Sequence, residues 1–145
     1  MAKKTSSGHT KKLRMTQDSD LNGLTLLGGD AKAAKKLEVF PNHHPEREYV
    51  VTLTTEEFTC VCPMTGQPDF AKISIQYIPD RSIVESKSVK LYLQSYRNRG
   101  VFHEHVTNVI LDDLVAVLNP RWCKVTAAFA VRGGIGITVD AEYRK

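Results

Sequence analysis

The chemistry in this chain begins with its thiols, Cys60, Cys62 and Cys123. Cys62 stands in FTCVCPMTGQPDF, next to Pro63, at the head of a loop rich in turn residues. Loops of that kind expose side chains and carry function, whereas a structural thiol more often lies inside a strand. Cys62 can therefore be read as a nucleophilic thiolate. Cys60 shares its strand face at i and i+2, and Cys123 falls on an apolar strand face, a core position. An odd number of cysteines with no export signal is not a disulfide framework, so at least one thiol is free. Metal binding is the other use of paired cysteines. A structural zinc site needs four ligands, with two or more residues between paired cysteines, and Cys-Val-Cys with His103 or His105 matches that poorly. No metal is expected.

Asp69 follows Cys62 across a turn able to fold its carboxylate back toward the thiol. Asp is also an ordinary turn residue, and spacing alone favours that role. His103 and Glu104 open a helix in FHEH. An acid in a first helical turn complements the dipole, yet a neighbouring imidazole and carboxylate can also read the donors and acceptors of a heterocycle. ESKSVKLYLQSYRNRG places Glu85 and Ser86 at a helix start and Lys87, Lys90, Arg97 and Arg99 along it. These bases make a solvated face or a site for phosphate, since helix N-termini and basic side chains both favour anions.

The elements that must position these groups alternate between two periods. The run from Tyr49 to Cys60 is rich in β-branched and aromatic residues, as a strand is. Pro63, Gly66, Pro68 and Asp69 then supply turn chemistry. Ala71, Ile73, Ile75 and Tyr77 alternate with Lys72, Ser74 and Gln76, a half-buried strand. From Ser86 to Asn98, Val89, Tyr92, Leu93 and Tyr96 recur on one helix face, with Gly100 beyond the end. A second helix from about Phe102 carries Val106, Val109, Ile110, Leu114 and Val117, and Asn119-Pro120 stops it. Cys123, Val125, Ala127, Phe129 and Val131 restore the period of two. After Arg132-Gly133-Gly134, Ile135, Ile137, Val139 and Ala141 repeat it, so the two strands form a hairpin.

The order β, β, α, α, β, β implies an α+β fold, a four-stranded antiparallel sheet with both helices on one face. So small a sheet leaves edges to protect, and subunit association into a barrel is one remedy. No internal repeat is visible. At 145 residues the chain has the length of one domain with a real core. Hydrophobic residues at 41% and charged residues at 25% exclude collagenous, mucin-like and wholly disordered classes. The formal net charge of +4 suggests a nucleic-acid partner until it is located. Lys3, Lys4, Lys11, Lys12 and Arg14 carry it, leaving fifteen bases against sixteen acids in the rest. Residues 1–20 are expected to be a disordered basic tail, too poor in apolar residues to offset the entropy of ordering, with 21–145 the single domain and a short helix near Ala31–Lys36. No secretory signal or membrane-length apolar run is visible, and a cytoplasmic location is expected.

Four segments together resemble one family: CPMTGQPDFA at 62–71, ESKSVKLY at 85–92, YLQSYRNRGVFHEH at 92–105 and RGGI at 132–135. They are similar in type and order to the NADPH-dependent 7-cyano-7-deazaguanine reductases, the nitrile reductases of queuosine biosynthesis. The resemblance covers roughly residues 23–145. It implies the tunnelling fold, whose subunits join into barrels, and, for a short single-module chain, a homo-oligomer of two stacked pentamers with active sites between subunits.

By motif position, the resemblance implies that Cys62 is the nucleophile and Asp69 the proton-supplying acid. It implies substrate contacts from Val84, Glu85, Ser86, His103 and Glu104. The segment from Glu85 to Tyr92 matches the part associated with NADPH; Ser86, Lys87, Lys90, Arg132 and Gly133 are the candidate cofactor residues. The implied partner is the small molecule 7-cyano-7-deazaguanine, with no direct nucleic acid and no membrane. A non-catalytic RNA-binding module, suggested by the tail with Arg97 and Arg99, and a pterin- or purine-ring cyclohydrolase of the same fold are the competing readings.

Overall fold

The computed structural model describes residues 35–145. The tail expected at 1–20 lies outside them, as does most of the helix expected near Ala31–Lys36; Lys35 and Lys36 themselves are not helical. The elements are β1 (Val39–Pro41), β2 (Val51–Val61), β3 (Pro68–Ile78), β4 (Ser82–Val84), α1 (Ser86–Gln94), α2 (His103–Leu118), β5 (Trp122–Arg132) and β6 (Ile135–Arg144). The four long strands form one antiparallel sheet in the order β2-β3-β5-β6. β1 and β4 add a small two-stranded ribbon that the sequence reading did not anticipate. Three residues a strand are too few to display alternation.

The alternation of β3 is realised: Ala71, Ile73, Ile75 and Tyr77 are all buried, and Cys123, Val125 and Ala127 of β5 face the same side. Both helices close over that face. Val89, Tyr92 and Leu93 of α1 enter the core with Val106, Ile110, Leu111, Leu114 and Leu118 of α2. Fully burying each such aliphatic side chain contributes about 1.5–3 kcal/mol. Between the helices the Tyr92 hydroxyl donates to Asp113 Oδ2 at 2.7 Å and lies 2.9 Å from the Tyr96 hydroxyl, so a buried polar cluster is satisfied internally.

Three expectations shift. The α2 stripe is turned: Val109 is exposed, and Leu111 and Leu118 take core places instead, because the helix leans onto β5 and β6. α1 stops at Gln94, and tighter turns follow it, with Arg97 N–H donating to Gln94 O and Arg99 N–H to Tyr96 O. Val131, expected on the inner face of β5, is 70% exposed. The β5–β6 register breaks between Phe129 and Arg132, and the inward alternation ends there. Gly133 and Gly134, at φ 60° and 80°, close the hairpin with the paired left-handed residues of a type I′ turn.

β3 gives the domain two distinct ends. Its 11 residues span about 33 Å at ~3.3 Å a step. At one end lie the β2–β3 loop, the start of α2 and the β5–β6 turn; at the other, Tyr77 receives the β4 backbone through Val84 N–H.

Candidate active site

Cys62 is the first residue after β2, and its backbone is pinned on both sides. Its N–H donates to Gln67 O and its carbonyl accepts from Gly66 N–H, each at 2.8 Å, so Cys62 to Gln67 form a tight loop. Gly66 sits at φ 70°, a conformation a side chain would resist. The loop turns donors onto the sulfur. The Thr65 hydroxyl, then the Thr65 and Met64 N–H groups and finally the Arg132 guanidinium hydrogen-bond Cys62 and outweigh partial burial, bringing its thiol down from 9.0 to about 7. Cys60 and Cys123 behave oppositely: burial pushes their thiols up to about 11 and about 12. One thiol of three is lowered, and the core position expected for Cys123 is found.

Asp69 is not a turn residue. β3 already begins at Pro68, tolerated at a strand's first position, and Asp69 pairs across with Cys60. It points to the helix-covered face and is only 6% exposed. Cys62 lies just past the end of β2, two residues beyond Cys60, the strand partner of Asp69.

Two cations or potential cations answer the buried carboxylate. Arg132 Nη1 lies 2.9 Å from Asp69 Oδ1, and His103 Nε2 lies 3.2 Å from Oδ2. The second contact lacks hydrogen-bond alignment, so Oδ2 is buried without a hydrogen-bond partner among the described residues. That oxygen is a proton acceptor in waiting. His103, the first residue of α2, lies flat on the Phe129 ring, and Thr107 Oγ1 donates back to its carbonyl at 2.8 Å. Glu104 projects beside it, exposed.

Cys62, Asp69, His103, Glu104, Arg132 and Gly133 thus gather at one end of the sheet. Val84, Glu85, Ser86 and Lys87 do not join them within one chain, for α1 begins at the opposite end. There Val84 is buried, and Glu85 caps α1, its Oε1 accepting from Lys87 N–H at 2.8 Å and Oε2 from Ser88 N–H at 2.7 Å. The Glu85 carboxylate is thereby committed to two backbone donors. Lys87 and Lys90 pair with no carboxylate among the described residues, a donor set suited to phosphate. Ser86, Lys90 and Arg97 line a groove of about 290 Å³ between α1 and β2, floored by Leu53, Phe58 and Ile73.

Sequence reasoning missed Thr65 and Phe129. Thr65 had a signal, as the hydroxyl in the same loop as the nucleophile. Phe129 had none, because a stacking platform and a core residue read alike on a strand. Among the described residues no three His, Cys, Asp or Glu side chains gather to hold a metal ion, and no helix is long and apolar enough to cross a membrane.

An α+β sheet thus gathers a thiol lowered to about 7, a buried acid, an imidazole and a guanidinium at one end, the groups that thiol-based chemistry uses. The model for the QueF-like protein family matches residues 68–145. A relative from Syntrophus aciditrophicus named NADPH-dependent 7-cyano-7-deazaguanine reductase is 70% identical over 91% of this chain and 94% of its own length. One of the same name from Bacillus licheniformis is 49% identical over 89% and 82%. The crystal structure of the apo archaeosine synthase QueF-Like superposes with a TM-score of 0.60 at 31% identity, covering 64% of this chain and 91% of that one. The chain belongs to the QueF-like family.

Proposed function

We infer that this chain is an oxidoreductase that uses NADPH to reduce the nitrile of 7-cyano-7-deazaguanine to the aminomethyl group of 7-aminomethyl-7-deazaguanine, a step in tRNA queuosine biosynthesis. The observation that carries the reading is the lowered thiol of Cys62 at the same end of the sheet as the buried carboxylate of Asp69, in a chain whose relatives carry that reductase name.

A free nitrile is a poor hydride acceptor. Addition of the Cys62 thiolate to its carbon makes a covalent thioimide, whose C=N carbon accepts hydride. Asp69 takes the thiol proton and returns it to the nitrogen, the unpartnered Oδ2 being the oxygen free to do so. Reduction, expulsion of Cys62 and reduction of the resulting imine require two hydrides, which the nicotinamide of NADPH supplies when bound. Glu104 accepts N–H groups from the purine-like edge, and His103, held on Phe129, meets the ring carbonyl.

Lys87 and Lys90 are the cofactor-phosphate contacts in this reading, with Ser86 at the helix start. A site that includes them draws Cys62 from one copy and α1 from a neighbour, because the two lie at opposite ends of the sheet. The homo-oligomer of two pentamers meets that need, and the cytoplasm holds both small molecules.

The test is direct. Wild-type protein with the nitrile and no NADPH gains the mass of one substrate, Cys62→Ala does not, and adding NADPH to the wild type consumes two equivalents per nitrile. An adduct persisting in Cys62→Ala, or NADPH absorbance unchanged by the nitrile, overturns the reading. Lys87→Ala and Lys90→Ala raise the NADPH KM about tenfold if each holds a phosphate; an unchanged KM removes that residue.

A further inference from the structure

We propose that Arg132 is a catalytic residue of the thiol-addition step, its guanidinium holding the one negative charge that passes between Cys62 and Asp69. The proposal rests on the reductase reading but gives Arg132 a different task from the cofactor contact that its motif position implies.

The backbone has been altered to bring Arg132 there. On β5, Cys123, Val125, Ala127 and Phe129 face inward. Strict alternation would turn Val131 inward and Arg132 out toward solvent. The register break between Phe129 and Arg132 reverses that parity: Val131 is exposed, and Arg132 reaches the inward Asp69 at 2.9 Å. The tight turn through Gly133 and Gly134 fixes the strand end that carries it. Arg132 is also among the groups that lower the Cys62 thiol, so the cation paired with the acid acts on the nucleophile as well.

Before addition the pair shares one proton, as Cys62–SH with Asp69–COO⁻ or as Cys62–S⁻ with Asp69–COOH. In the second form the sulfur lone pair makes the C–S bond, the π pair of the nitrile moves to nitrogen, and that nitrogen takes the proton from Asp69. The carboxylate is then again ionised against Arg132. No charge is created or lost. With the cation paired to Asp69 and favouring the Cys62 thiolate, the proton shift avoids leaving an uncompensated anion at either. Removing the guanidinium strands the Asp69 carboxylate with only His103 beside it.

Arg132→Gln and Arg132→Lys separate this role from cofactor binding, because alkylation by iodoacetamide needs neither nitrile nor NADPH. The expected result for Arg132→Gln is alkylation of Cys62 at pH 7 slowed about 3–10-fold and restored near pH 9.5, as a raised thiol pKa requires. NADPH-free adduct formation with the nitrile falls further, about 10–100-fold, as for loss of an electrostatic contact at the reacting atoms. Arg132→Lys recovers more of the alkylation rate than of the adduct rate, since a point charge cannot fork between two partners. Native thermal unfolding of both variants excludes a folding defect, and the partly exposed side chain permits it. If Arg132→Gln alkylates and forms adduct at wild-type rates and only the NADPH KM rises, the proposal is overturned and Arg132 is a cofactor anchor. Wild-type protein that alkylates but takes up no nitrile sinks the reductase reading, and the alkylation profiles then still decide whether Arg132 acts on the sulfur.

Discussion

The imidazole of His103 and the ring of Phe129 lie face to face, 3.7 Å between centroids and 9° from parallel. The stack joins the first residue of α2 to the last inward residue of β5 before the register break. It fixes the plane of the imidazole with Nε2 3.2 Å from Asp69 Oδ2, close but not aligned for a hydrogen bond. Phe129 also meets Phe58 edge-on at 6.4 Å, which meets Tyr96 at 5.9 Å, so the platform is anchored in the core.

Replacing Phe129 by Leu keeps an apolar side chain but removes the flat surface. Stability should fall by about 1–2 kcal/mol, as for a moderate core change. The nitrile KM should rise about tenfold or kcat drop similarly, because a loosely held imidazole binds and orients less well. Phe129→Tyr should restore activity. Steady-state kinetics with urea unfolding separates the two effects: stability lost without a kinetic change would make Phe129 a packing residue only.

The titration of Cys62 near 7 gives the sign of its pH dependence. Thiolate is the reactive form, so alkylation should accelerate as pH rises through about 7 and level off above about 8. Thr65→Ala removes the largest stabilising contact, and its curve should move upward in pH, with a several-fold slower rate at pH 7. Thr65→Ser should follow the wild type. Overlapping curves for wild type and Thr65→Ala would exclude the hydroxyl.

Cys60 and Cys123 should resist alkylation under the same conditions, for their thiols titrate near 11 and 12. They also affect stability. Their folded pKa values lie above the unfolded value of 9.0, so above pH 9 the unfolded chain holds fewer protons and the native state loses stability as pH rises. Tyr77, Tyr92 and Tyr96 are raised by burial as well and act in the same direction above about pH 10. Urea midpoints between pH 8 and 11 should decline, and less steeply in Cys60→Ala. An equal slope would mean that Cys60 does not contribute.

Glu85 has a structural duty as a cap and a proposed one at the substrate. Glu85→Ala should cost about 1 kcal/mol of unfolding free energy, the usual value of an N-cap side chain. Glu85→Gln retains an acceptor for one N–H and should recover part of it. If the nitrile KM also rises in Glu85→Gln, the carboxylate serves substrate from a neighbouring copy. A normal KM with lowered stability confines Glu85 to capping.

The alternating runs from Ala71 to Tyr77 and from Cys123 to Phe129, and the helical spacing of Val89, Tyr92, Leu93 and Tyr96, were enough by themselves to determine the sheet, the helices and their order. Periodicity is a local property, and each face was written within a few consecutive residues. The place of Cys62 at the head of a turn was legible for the same reason, since Pro63 and Gly66 lie within the CPMTG segment. Only the tertiary structure decided that Asp69 is buried rather than in a turn, that Arg132 turns inward through a register break, and that Val84, Glu85, Ser86 and Lys87 stand at the opposite end of the sheet. Those relationships depend on which residues of different strands meet, and pairing register is set by long-range packing that no local pattern contains.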